Sequence, residues 1–262
     1  MKTALVTGAA GGLGQAVCAL LLQQGWTVCG LDRERRALPE AVRFVPCDLT
    51  DAASVEAAGR VLEDLRPDAI VHTAGIYDLD SLIEMDEDRL LRIFNVNLFG
   101  VCRVNRTFAP RLSKGGRIVI VSSELAPLDP LPFTGVYAIT KAALEKYAWS
   151  LRMELNLLGV AVSVVRPGAI RTGLLGDSTR ALDRFVAQTQ TYRCNAARFR
   201  QIVDSVEARN VPPEKVARRI GKALQARRPR YVYKINRNPL LLLLNALPDR
   251  WQTAIIGRIL RQ

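Results

Sequence analysis

The stretch LVTGAAGGLGQAVCALLL, residues 5–22, runs from an apolar strand-like segment through a glycine-rich turn into a helical pattern. Gly8, Gly12 and Gly14 give the spacing GxxxGxG. Glycines there permit a tight turn and let backbone N–H groups approach a pyrophosphate at the helix N-terminus. Turns use glycine for many reasons, so the position directly after a first strand carries the weight of this reading. Asp32 closes the next apolar run, 24 residues after Gly8. A carboxylate at that place can take both hydroxyls of an adenosine ribose.

Outward from this turn, short apolar runs alternate with helical patterns. TALVT, TVCGL, VRFVP, AIVHT, RIVIV and AVSVV read as strands, and 12–24, 51–65, 86–112 and 136–158 as helices. Buried strands alternating with helices predict an α/β fold, a doubly wound parallel sheet covered on both faces. No repeat or linker divides the 262 residues, so one domain is expected over 1–262. A further strand is expected at RYVYKI, a substrate lid at 173–210 and an amphipathic tail at 238–262.

Composition removes several function classes. The five cysteines show no CxxC pairing and read as reduced thiols; His72 is the only histidine, so no metal site is expected. The apolar runs at 16–22 and 240–244 are far too short to span a bilayer, and the start of the chain does not read as a signal peptide. A cytoplasmic protein is expected, with a peripheral membrane contact left open. The net charge of +12 is confined to residues 173–262, with 18 Lys/Arg against 6 Asp/Glu. That concentration bears on partners, an acidic membrane surface or a carrier protein, and not on fold. No nucleic-acid recognition motif accompanies it.

Tyr137 and Lys141 lie four residues apart in YAITK and share one helix face. With TGAAGGLG, CDLT, HTAG, NVNLFG, IVIVSS and RPGAIRT in the same order, the chain resembles the short-chain dehydrogenase/reductase family of Rossmann-fold oxidoreductases. The resemblance runs continuously over about residues 3–172. It implies a catalytic set of Asn97, Ser123, Tyr137 and Lys141. It places a dinucleotide against Thr7, Gly8, Gly12, Leu13 and Gly14, then Asp32, Asp48, Leu49, Ala74 and Gly75. Tyr137 and Lys141 also meet the cofactor, as do Pro167, Gly168, Ile170 and Thr172. Ser123 precedes Tyr137 by 14 residues where the family has 13, which reads as one extra residue in the Pro-rich loop, with Ser122 in reserve. Glu124 is then a loop carboxylate or a substrate contact.

Further expectations follow. Asp32 favours NAD over NADP, although Arg33, Arg35 and Arg36 stand close enough to receive a 2′-phosphate. Lys141 and an oxidised nicotinamide should together lower the Tyr137 pKa. The family implies a homodimer or homotetramer through 86–112 and 136–158. Leu174, Leu175, Phe185, Val186, Tyr192, Phe199 and Ile202 suggest a lipophilic alcohol or ketone of the steroid, retinoid or polyketide kind. A 3-ketoacyl reductase acting on carrier-bound substrates and a catalytically silent cofactor-binding regulator are the alternatives. For the tail, packing on a second subunit ranks above pocket closure, and pocket closure above lying on a bilayer.

Overall fold

The computed structural model describes residues 1–207 and 209–261, with the backbone alone at 174–175 and 204–207. Seven parallel strands form one sheet: β1 (Thr3–Thr7), β2 (Thr27–Asp32), β3 (Arg43–Pro46), β4 (Ala69–His72), β5 (Arg117–Val121), β6 (Ala161–Pro167) and β7 (Val232–Ile235). Their order is β3-β2-β1-β4-β5-β6-β7, all in parallel register. The chain runs outward in one direction from β1 and in the other from β4, so the order reverses between them. Such a reversal opens a crevice beyond the strands' carboxyl ends.

The five inner strands β1, β2, β4, β5 and β6 are largely buried, which is why they read as nearly unbroken apolar runs. Helices α1 (Gly12–Gln23) and α8 (Pro213–Gln225) cover one face, burying Val17, Leu21, Val216 and Ile220 against Val6, Val71 and Val119. The other face carries α2 (Ala52–Val61), α4 (Gly100–Phe108) and α5 (Gly135–Asn156), whose Val55, Val104, Phe108 and Leu144 meet Leu5, Ile70 and Ile118. The long helix expected at 86–112 is interrupted. It consists of α3 (Glu87–Phe94), a π turn at Asn95–Phe99 and α4. A π turn inserts a residue into the helical ladder, and such turns recur at functional sites; this one contains Asn97.

Beyond β6 the chain builds a smaller apolar cluster beside the crevice. Helices α6 (Gly173–Gln188) and α7 (Arg193–Glu207) bring Leu182, Phe185 and Phe199 against Leu79 and Phe133. The turn between them is fastened to Glu84, which accepts from Thr189 Oγ1 (2.6 Å), Gln190 N (3.0 Å) and Thr191 N (2.9 Å). Those donors hold the Glu84 carboxyl down at about 2. Arg184 on α6 also pairs with Asp78. The tail forms α9 (Pro239–Asn245) and α10 (Asp249–Arg261), and Leu260 seats in the same cluster. Leu174 and Leu175, expected in the lid lining, lie outside the described side chains.

His72, which ends β4, is buried and structural. Its Nε2 lies 2.9 Å from Asn105 Oδ1 and its Nδ1 3.5 Å from Thr7 Oγ1. Burial pushes its pKa down to about 4, against the opposing pull of Asn105. The folded protein therefore binds fewer protons than the unfolded chain between about pH 6.5 and pH 4, and stability falls with acid through that window. Urea midpoints should drop between pH 7 and pH 4.5. His72→Gln should flatten that drop; an identical acid limb in the variant would contradict the assignment.

Candidate active site

The crevice continues into one cavity of about 1050 Å³, which runs from the glycine loop past β4 and β5 to the α6–α7 pair and α9. At its cofactor end two loops meet at the sheet's reversal point. Gly8, with φ of 66°, lies so close to the loop after β4 that a Cβ would sit 2.6 Å from Ala74 Cα. A Cβ on Gly14 would sit 2.0 Å from Gly8 O. The backbone is thus held tight across the mouth of α1. That helix is preceded by Gly11 at its N-cap, with no side-chain cap and no acidic residue in its first turn, which leaves its positive end open to an anion. Asp32 Oδ2 accepts from Ala10 N at 2.9 Å, joining β2 to this loop. Arg33 and Arg36 line the cavity beside Asp32, while Arg35 turns to the Pro39 and Glu40 carbonyls. Asp48, Leu49, Pro167, Gly168, Ile170 and Thr172 also line it. The residues present fit an extended dinucleotide.

The reacting groups are supplied by β5 and α5. Tyr137 and Lys141 share one face of α5 and both are buried, at 7% and 4% exposure. Tyr77, in the loop after β4, packs at a tilt against Tyr137 with ring centroids 4.7 Å apart. Lys141 Nζ donates to Val121 O at 3.3 Å and lies 5.6 Å from the Tyr137 ring centroid. One turn further along the same face stands Glu145, which sequence reasoning missed. Its carboxylate accepts from Ser122 Oγ at 2.7 Å and from Arg166 Nε at 2.8 Å. Ser122 is thereby engaged by Glu145, and Ser123 is the serine whose hydroxyl favours the ionised form of the Tyr137 phenol. The spacing 137, 141, 145 was the available signal, since i, i+4 and i+8 fall on one helix face.

Thr7 and Asn97 are brought close but not onto the cavity wall. Thr7 is fully buried beneath the loop, beside His72. Asn97 is fully buried as well; Oδ1 accepts from Ile76 N (2.9 Å) and Nδ2 donates to Ile76 O (3.0 Å) and Thr140 Oγ1 (3.1 Å). It fixes the loop after β4, and a Cβ on Gly75 would lie 3.4 Å from both Asn97 Oδ1 and Lys141 Nζ.

Burial acts on both reacting groups. Burial raises Tyr137 to about 12, with the Ser123 hydrogen bond opposing it, and lowers Lys141 to about 8, with Glu145 opposing it. Desolvation outweighs the Ser123 hydrogen bond, so among the protein's own groups Tyr137 stays a phenol at neutral pH. It is poised to donate a proton.

The comparisons with known proteins agree with this geometry. Residues 2–183 match the model of the short chain dehydrogenase family. The chain is 28% identical over 251 residues to the 3-ketodihydrosphingosine reductase of Bacteroides thetaiotaomicron, covering 94% of this chain and 91% of that one. It is 32% identical over 259 residues to estradiol 17-beta-dehydrogenase 2 of Mus musculus, at 88% and 67% coverage. With the NADPH-dependent 3-dehydrocapnine reductase of Ornithobacterium rhinotracheale it shares 25% identity over 280 residues, at 100% and 98% coverage. A short-chain dehydrogenase from Streptomyces avermitilis superposes with a TM-score of 0.78 at 25% identity, covering 99% and 97%. The chain belongs to the short-chain dehydrogenase family, and it is an oxidoreductase.

The two serines separate by experiment. Ser123→Ala should lower kcat by about 10² or more, as loss of a positioned donor to a developing oxyanion does. Ser122→Ala should cost less in turnover and more in stability, because it removes one of the hydrogen bonds that hold the buried Glu145 carboxylate. Initial rates and thermal melts of both variants decide it, and a reversal of the two effects would contradict the assignment.

Proposed function

We propose that the protein transfers hydride between a nicotinamide dinucleotide, NAD in preference to NADP, and a lipophilic secondary alcohol or ketone. The reading is carried by Ser123, Tyr137 and Lys141 lining one cavity between the glycine loop and an apolar end made by Leu125, Leu128, Phe199, Ile202 and Leu241. The relatives named for a long-chain ketone and a steroid support a lipophilic substrate.

Each role follows from position. A nicotinamide bound along this wall supplies or accepts the hydride. Gly8, Gly12, Leu13 and Gly14 would hold the pyrophosphate, Asp32 the adenosine ribose, Asp48 and Leu49 the adenine, and Ala74, Gly75, Pro167, Gly168, Ile170 and Thr172 the nicotinamide half. Ser123 Oγ holds the substrate oxygen. Tyr137 Oη gives that oxygen its proton in reduction and takes it back in oxidation. The Lys141 ammonium favours the phenolate left behind, and Asn97 positions the loop that carries Ala74 and Gly75. Helices α6 and α7 act as the lid, and α9 adds Leu241 and Asn245 to the wall. Pocket closure is the tail role this packing supports.

The α3–α5 surface exposes Leu91, Phe99, Trp149 and Met153, which supports a homo-oligomer built across it. Among the described residues no helix is long and apolar enough to cross a membrane. Exposed Leu240, Leu243, Trp251 and Ile259, with Arg250, Arg258 and Arg261, leave a surface contact with acidic lipid open to α9–α10.

Two measurements test the reading. Catalytic efficiency with NAD should exceed that with NADP, because a 2′-phosphate would face the Asp32 carboxylate. Asp32→Ala should narrow the gap, with Arg33 and Arg36 then helping the phosphate. Equal or better efficiency of the wild type with NADP would refute the preference. Lys141→Met should abolish turnover yet raise the melting temperature at neutral pH. Burying the ammonium costs about 3 kcal/mol at pH 7, from the fall in its pKa from 10.5 to about 8. That cost is present below about pH 8 and disappears as pH rises through 8 to 10.5. A variant less stable than wild type at pH 7 would contradict the burial argument.

A further inference from the structure

One carboxylate in the cavity has no part in the chemistry above. Glu124 follows Ser123 directly and is 6% exposed, yet it lines the cavity wall. Its Oε2 accepts a 2.6 Å hydrogen bond from Asn238 N–H, at the start of α9. Its Oε1 has no hydrogen-bond or ion-pair partner among the described residues, and it is not sealed from solvent. That oxygen sits over Gly168, where a Cβ would lie 2.8 Å from it. A side chain at 168 would therefore close off the space that Oε1 occupies.

The environment is unfavourable for an unmatched negative charge. Burial raises the Glu124 carboxyl, while the Asn238 N–H and the field of Arg237 oppose that rise. Arg237 makes no ion pair with it among the described residues. A carboxylate in such a place is costly until a donor or cation meets its open oxygen, and a charged donor meets it best.

We infer that Glu124 is a specificity-determining residue that accepts a hydrogen bond from an ammonium group on the substrate carbon next to the reacting carbonyl, which makes the substrate class long-chain α-amino ketones. The inference rests on the proposed reduction at Ser123 and Tyr137. Ser123 and Glu124 are consecutive and line the same cavity, so a substrate held through its carbonyl oxygen at Ser123 presents its neighbouring carbon on the side of Glu124. The alkyl chain then extends along Leu125, Leu128, Phe199, Ile202, Val203 and Leu241. 3-Ketodihydrosphingosine, the ketone in one relative's name, has this pattern of an amino group beside a ketone on a long chain.

The test compares 3-ketodihydrosphingosine with the ketone of equal length that lacks the amino group, using wild type and Glu124→Gln. Glutamine keeps an acceptor for Asn238 N–H and removes the charge. Wild type should favour the amino ketone by about 10² in kcat/KM. Glu124→Gln should lose about 30-fold or more on the amino ketone, mostly through KM, and change by less than about threefold on the plain ketone, with an unchanged melting temperature. Equal losses on both ketones would overturn the inference and leave Glu124 as a cap for α9. Turnover of a steroid ketone but of neither long-chain ketone would overturn this inference alone. Failure with every ketone tested, with either dinucleotide, would overturn the proposed function with it.

Discussion

Glu145 joins the reacting helix to three strands. Its carboxylate takes Ser122 Oγ at the end of β5 and Arg166 on β6, and its main-chain carbonyl takes Tyr231 Oη just before β7. One turn before it stands Lys141, whose ammonium it favours. The arrangement sets which serine faces the phenol, where α5 lies across the sheet, and how much of Lys141's charge survives burial. Without that carboxylate, burial alone would govern the lysine. With it, the ammonium persists near neutral pH beside a phenol that stays protonated.

The second organising constraint is the contact of two loops at the sheet's reversal point. Gly8 and Ala74 come too close for any side chain at position 8, and Asn97 fixes the second loop through Ile76. The cofactor end is thus rigid and made mostly of backbone. The other end is made of side chains from α6, α7 and α9, fastened by Glu84 and Asp78. A rigid half for a common ligand and a variable half for a particular one is the usual division of labour in folds that serve many reactions.

The sheet and its helices were legible because parallel strands buried on both faces read as unbroken apolar runs, and glycine spacing marks the first turn. Tyr137 and Lys141 were legible from their helical spacing. The π turn around Asn97 was not, since a helical pattern has the same look with or without one extra residue. Glu145 was overlooked because a charged residue in a helix reads as solvent-facing; only packing shows that this one is buried with Arg166. The choice between Ser122 and Ser123 depends on that same packing. Glu124 stayed ambiguous for a related reason, as its partner Asn238 lies 114 residues away. The desolvation of Tyr137 is likewise invisible in sequence.

The measurement that tests this account most directly is the pH profile of kcat for ketone reduction with the reduced dinucleotide, in wild type and in Glu145→Gln. Activity needs the Lys141 ammonium, so the alkaline limb of the wild type should fall near pH 8. Removing the Glu145 charge removes the field that favours that ammonium, so the limb should move to lower pH in the variant. An alkaline limb at the same pH in both proteins would contradict the claim that Glu145 governs the site.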